Sequence, residues 1–199
     1  MARKTSITAA EAIRQLEADP EWVSRRDARE QDRVRREQRS QQEQRPLLRD
    51  LEATGTRVSD VWDLVNTPTP YPRALPVLLA HLMHPYGDRI REGIARALAL
   101  KEARPLAWEQ LISLIGSKSL PKQVADGLMV ALSAMARPTD LQAMLGLISD
   151  SSIGASRIFL VRNLMRSKKP EARQVLVNLR DDPDLRMDIA ARLKMSAQA

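Results

Sequence analysis

Residues 88–100 read DRIREGIARALAL, and the fold turns on what this stretch packs against. Apolar side chains fall at Ile90, Ile94, Ala97 and Leu98, with Arg91 among them. Recurrence at three and four residues is one stripe of an amphipathic helix. A helix this short cannot bury such a stripe alone, so its partners must lie elsewhere in the chain.

The prolines show where. Pro72, Pro105, Pro138 and Pro170 are spaced by 33, 33 and 32 residues. An apolar helical pattern follows each: RALPVLLAHLM, LAWEQLISLIG, TDLQAMLGLIS and EARQVLVNLRD. Proline suits the first turn of a helix, where its missing N–H would be unpaired anyway and its fixed φ is already helical. The recurrence therefore predicts four helix starts. Leu79, Ile112, Leu145 and Leu176 share one slot, and Leu82, Ile115, Ile148 and Leu179 share the slot three residues on. Such i, i+3 pairs form one buried stripe per helix.

A second helix follows each first one: YGDRIREGIARALAL, KQVADGLMVALSAMA, GASRIFLVRNLMRS and DLRMDIAARLKM. Ile94, Leu128, Leu160 and Ile189 align, as do Leu98, Leu132, Leu164 and Leu193. Turn residues separate the members of each pair at Pro85-Tyr86-Gly87, Ser119-Leu120-Pro121, Ser151-Ser152 and Asp182-Pro183. Residues 68–199 thus read as four helix–turn–helix repeats. No repeat buries its own stripe, but stacked neighbours share a continuous core. The alternative is a compact bundle without regular stacking.

Upstream, PLLRDLEATG and VSDVWDLVN predict a capping helix pair over residues 46–67, with Leu48, Leu51, Val61, Leu64 and Val65 as its apolar face. TPTPYP at 67–72 reads as an extended joint. Residues 1–45 form a charged N-terminal helical arm. TAAEAIRQLEADP supplies a short amphipathic helix with Ile13 and Leu16, and residues 24–45 carry eight Arg and five acids. Glu30 with Arg33 and Asp32 with Arg36 support an exposed helix there, and Trp22 anchors its start.

The composition fits an all-α chain. Aromatics make up only 3% of it, while Ala, Leu, Arg and Gln abound, and no segment alternates with period two. There is no cysteine, which excludes disulfides, thiolate nucleophiles and Cys-based zinc sites. No run approaches a membrane span and the N-terminus lacks a secretory apolar core, so a cytoplasmic protein is expected. The formal net charge of +7 favours acidic partners. Residues 1–55 hold 12 basic and 11 acidic side chains and the remainder 20 and 14, so the excess belongs to the repeats. The densest basic run is Arg157, Arg162, Arg166, Lys168, Lys169 and Arg173.

DRIREGIARALAL is similar to the second helix of a HEAT-type repeat, with Asp88 at the turn and Arg91 three residues on. More widely, residues 20–195 resemble bacterial HEAT-repeat proteins of the PBS-lyase-like, armadillo-type class, whose function is unassigned. The resemblance implies a right-handed α-α superhelix whose second helices line a concave face used for binding. The Arg slot reads Arg91, Ala125, Arg157 and Arg186, and the Asp slot Asp88, Lys122, Gly154 and Pro183, so a continuous Asp–Arg ladder is not expected. On the implied arrangement Arg96, Lys122, Arg162, Arg166 and Arg192 share a positive groove. Without it they are charges on a solvated face.

Little else suggests chemistry. His81 and His84, the only histidines, lie at i, i+3 with Asp88 the nearest acid. A zinc site needs three or four ligands, so they read as one partly buried histidine and one at a helix C-terminus. A nucleophilic triad has no cysteine and too few histidines to draw on. Gly93 and Gly127 fall at equivalent points of two second helices, where they let helices approach closely. Trp108 reads as core. No cofactor, metal or catalytic residue is expected. The expected function is a non-enzymatic scaffold for a protein partner, an acidic one by the charge balance. The alternative is nucleic-acid binding on an architecture like that of HEAT-like DNA glycosylases.

Overall fold

A computed structural model describes residues 8–65, 67–117 and 120–196. Ser119 of the second expected turn lies outside these residues, and so does the side chain of Leu193. Among the described residues there are eleven α-helices, several short 3-10 segments and no strand. Contacts divide the chain into two compact parts, an arm ending at Glu43 and a body beginning at Gln44.

The arm holds α1 (Ala9–Glu17) and α2 (Pro20–Glu43). Thr8 caps α1: its hydroxyl accepts from the Glu11 N–H, and the Glu11 side chain accepts from the Thr8 N–H. No residue of α1 or α2 is buried. Arg33 grips Glu30 with two hydrogen bonds of 2.9 and 2.6 Å.

In the body α3 spans Arg45–Ala53. The first helices of the repeats are α4 (Leu75–Leu82), α6 (Arg104–Gly116), α8 (Leu141–Ser149) and α10 (Pro170–Asn178). The second helices are α5 (Asp88–Ala97), α7 (Lys122–Met135), α9 (Ile158–Arg166) and α11 (Arg186–Ser196). The four register prolines each stand at the start of a first helix. Pro105 and Pro170 lie in the first turns of α6 and α10, and Pro72 and Pro138 open 3-10 turns that run into α4 and α8.

The 33-residue register is visible in burial. Leu82, Ile115 and Ile148 are buried, and Leu79, Ile112 and Leu145 are half-buried at the edge of the core. In the last repeat the order reverses, with Leu176 buried and Leu179 half-buried. Ile94, Leu128, Leu160 and Ile189 are all fully buried, as are Leu98, Leu132 and Leu164 to within 1%. Helix α5 packs on α7, α7 on α9 and α9 on α11, while α4 packs on α6 and α8 on α10. This answers what 88–100 packs against: its own first helix α4 and, most extensively, the second helix of the next repeat.

Two glycines set how close these helices come. A Cβ on Gly127 would lie 2.8 Å from the Glu92 carbonyl oxygen and 2.9 Å from the Ala95 Cβ of α5. One on Gly93 would lie 2.7 Å from a Val61 methyl and 2.8 Å from the Trp62 ring nitrogen. Both are van der Waals overlaps, so only glycine fits without a shift.

The structure departs from the sequence reading in two places. The second member of the capping pair is one 3-10 turn, Val61–Leu64. Asp60 opens this turn by accepting from the Trp62 N–H, and Asp63 closes back on the Asp60 and Ser59 N–H groups at 3.0 and 2.9 Å. These local bonds satisfy the backbone without further helix. Gln44, fully buried, braces the turn from α3: its carbonyl oxygen accepts from the Val61 N–H and its amide donates to Asp60. The second departure is α9, which starts at Ile158 rather than near Gly154. Gly154 adopts φ +67°, ψ −148°, which breaks the helical run.

Candidate partner-binding cleft

On α9 the stripe Leu160, Val161 and Leu164 faces the core and is at most 1% exposed. Phe159 with Asn163 and Arg162 with Arg166 are each four residues apart, and Phe159 and Arg162 are three apart, so the four share the opposite face. That face is one wall of a cleft of about 680 Å³. Helix α7 supplies Val130, Ser133 and Ala134, α11 supplies Asp188 and Arg192, and Lys101 enters from the connection after α5.

The walls are locked together. The Ser133 hydroxyl donates to the Asn163 side-chain carbonyl at 2.7 Å, and the Asn163 amide returns a bond of 2.9 Å to the Ser133 carbonyl. These two bonds fix α9 against α7. On the far wall Arg192 donates to Asp188 at 2.7 Å. Val130, Ile158 and Phe159 are half-buried and give the floor apolar surface, while Lys101, Arg162 and Arg166 are exposed. Four cations thus surround an apolar floor, and the one carboxylate among the lining residues is held by Arg192.

Of the five expected groove residues, the structure brings Arg162, Arg166 and Arg192 into this cleft. Arg96 stands beside it. Its guanidinium lies 5.8 Å from the centre of the Phe159 ring and 5.9 Å from that of Trp62, and it bonds Glu92 at 2.8 Å. Lys122 does not join them. It lies at the start of α7 and pairs with Asp126 at 2.6 Å. Lys101 and Phe159 were missed, although Phe159 is the only phenylalanine and stands three residues before Arg162.

Arg157 requires a correction. The sequence places it first in the densest basic run, yet it is 1% exposed and points into the body. Its guanidinium donates to both Asp182 oxygens at 3.0 Å, to Asp184 at 3.1 Å, and to the Ile148 carbonyl at 3.2 Å. Its Nε donates to the Gly154 carbonyl at 2.8 Å, the residue whose unusual backbone ends the preceding turn. A guanidinium fork with every N–H engaged is how a buried cation is tolerated. Burial pushes the Asp182 carboxyl upward, but the Arg157 bonds and the Asp184 and Leu185 N–H groups together hold it below the usual carboxylate range. Arg91 occupies the matching slot of the first repeat, but its buried Nε has no hydrogen-bond partner among the described residues.

Other polar ties also span about one repeat. Arg104 binds Asp140 at 2.7 Å and the Met135 carbonyl at 3.2 Å, and stacks 4.2 Å above Trp108, which is core as its register requires. Ser156 donates to Asp126 at 2.6 Å, and Arg89 to Asp60 at 3.1 Å.

The histidines take part in a tie of the same kind. His81 is buried, with Nε2 3.1 Å from Asp50 of α3 and Nδ1 2.7 Å from the Tyr86 hydroxyl. In the neutral ring one nitrogen donates to the carboxylate and the other accepts from the phenol. The His81 bond, then that of Arg49, holds the Asp50 carboxyl below its ordinary value. His84, exposed past the end of α4, stacks on His81 at 4.8 Å. Among the described residues no group of three or more histidines or carboxylates could hold a metal ion, and no single helix is long and apolar enough to cross a membrane. Compared with family models, curated proteins and solved structures, the chain matches none.

Proposed function

We propose that the protein is a non-enzymatic binding scaffold, a HEAT-like right-handed α-α superhelix whose second helices present the cleft on α7, α9 and α11 to an acidic protein segment. The observation that carries this reading is the cleft: Lys101, Arg162, Arg166 and Arg192 surround the apolar Val130, Ile158 and Phe159. A segment that is both acidic and apolar satisfies both features. A nucleic-acid backbone would use the cations and leave the floor unfilled, because phosphate contacts carry most of its affinity. The packing of each second helix on the next supports the superhelical reading.

Fluorescence anisotropy with a labelled acidic amphipathic peptide and with labelled single-stranded and duplex DNA tests the proposal. Peptide binding should fall at least about tenfold, roughly 1.4 kcal/mol, in the double variant Arg162→Glu/Arg166→Glu. DNA bound more tightly than peptide, with a steep salt slope, would replace the scaffold reading with nucleic-acid binding.

A further inference from the structure

Helix α1 has the chemistry that the cleft asks for. Between Thr8 and Glu21 the chain carries four acids, Glu11, Glu17, Asp19 and Glu21, against one arginine, Arg14. Its apolar side chains, Ala9, Ala12, Ile13 and Leu16, share one face at three- and four-residue steps. That face is uncovered: Ile13 is 53% exposed and Leu16 42%. A capped nine-residue helix with no buried residue has little to stabilise it in water. Ile13 and Leu16 are the apolar surface that α1 can offer a partner.

We infer that α1 of one copy docks in the cleft of a second copy, with Ile13 and Leu16 against Val130, Ile158 and Phe159, and Glu17 and its acidic neighbours towards Arg162 and Arg166. The inference rests on the proposed reading of the cleft and names its occupant. Charge complementarity carries it: with Glu11 held in the Thr8 cap and Glu21 paired with Arg25, the segment still offers Glu17 and Asp19, and the cleft offers Lys101, Arg162 and Arg166 beside the Arg192–Asp188 pair. Docking between copies differs from docking within one chain in that it depends on protein concentration. The contact joins two different surfaces, so it builds a closed ring or an open chain of copies unless two copies exchange helices.

Sedimentation velocity of the full-length protein over a concentration series, at low and high salt, tests this. The wild type should associate at low salt and dissociate as salt screens the charges. Leu16→Glu, which removes the apolar anchor, and Arg162→Glu/Arg166→Glu, which reverses the cleft, should each be monomeric. All three positions are exposed, so the fold should survive, as circular dichroism would verify. The decisive sample is an equimolar mixture of the two variants. One retains an intact cleft and the other an intact α1, so the mixture should form a heterodimer and nothing larger. A wild type that stays monomeric overturns the inference, as does association that survives either variant or a mixture that yields no heterodimer. A monomeric wild type that still binds the acidic peptide would remove only α1 as the occupant, whereas loss of peptide binding as well would remove the cleft itself.

Discussion

Arginine serves opposite ends in the two parts of this molecule. In the arm, Arg25, Arg26 and Arg33 pair with acids one to four residues away on the same helix, and each of these side chains is about half exposed or more. In the body, Arg104 and Arg157 are 15% and 1% exposed and reach acids 36 and 25 residues away. Local, hydrated pairs gain little because water competes for both partners. Remote, buried ones tie successive helix pairs together, and losing one partner strands the other away from water.

Arg157→Ala should test this contrast most severely. It strands Asp182 and the Ile148 and Gly154 carbonyls, and should cost about 3–5 kcal/mol in urea unfolding. A loss no larger than that of a surface pair would break the comparison. Arg104→Ala should come next, at about 1.5–3 kcal/mol for bonds to a charged partner, plus the stacking on Trp108. Acid should separate the two parts further. The Asp182 carboxyl titrates below its unfolded value in the fold, so its contribution is fully present above about pH 4 and is lost as the pH falls through the lower folded value. Stability measured downward from about pH 5 should therefore fall less steeply in Arg157→Ala than in the wild type. Arg33→Ala should have the smallest effect: a slight loss of helical circular dichroism and no resolved change in the unfolding midpoint of the body.

The parts of the structure legible in the sequence are those governed by period. The proline spacing located the first helices. The alignment of Ile94, Leu128, Leu160 and Ile189 located the seam of the second ones, because burial at three- and four-residue steps is a local property of a helix. Gly93 and Gly127 were readable for the same reason. Arg162, Arg166 and Arg192 could be placed because they stand off that seam. What escaped depends on which remote segment comes near. Arg157 stands in the slot of Arg91 and Arg186, but that slot alone does not say which acids it meets. Its partners sit in the DDPD turn at 181–184, beyond a whole intervening helix. Lys101 reaches the cleft because the connection after α5 passes there, a fact of tertiary layout. Lys122 lies outside the cleft because it opens α7, about two turns before Val130, the first residue of that helix to line it.

The one-repeat reach of the polar ties bears on how the molecule comes apart. The hydrogen bonds between Asp60 and Arg89, Ser133 and Asn163, and Asp126 and Ser156 bridge 29 or 30 residues each, so a helix pair is fastened to its neighbour and no further by such bonds. Opening should then spread like a frayed rope, beginning where only one neighbour remains. Amide protons in α11 should exchange with solvent long before those in α7, which is gripped from both sides.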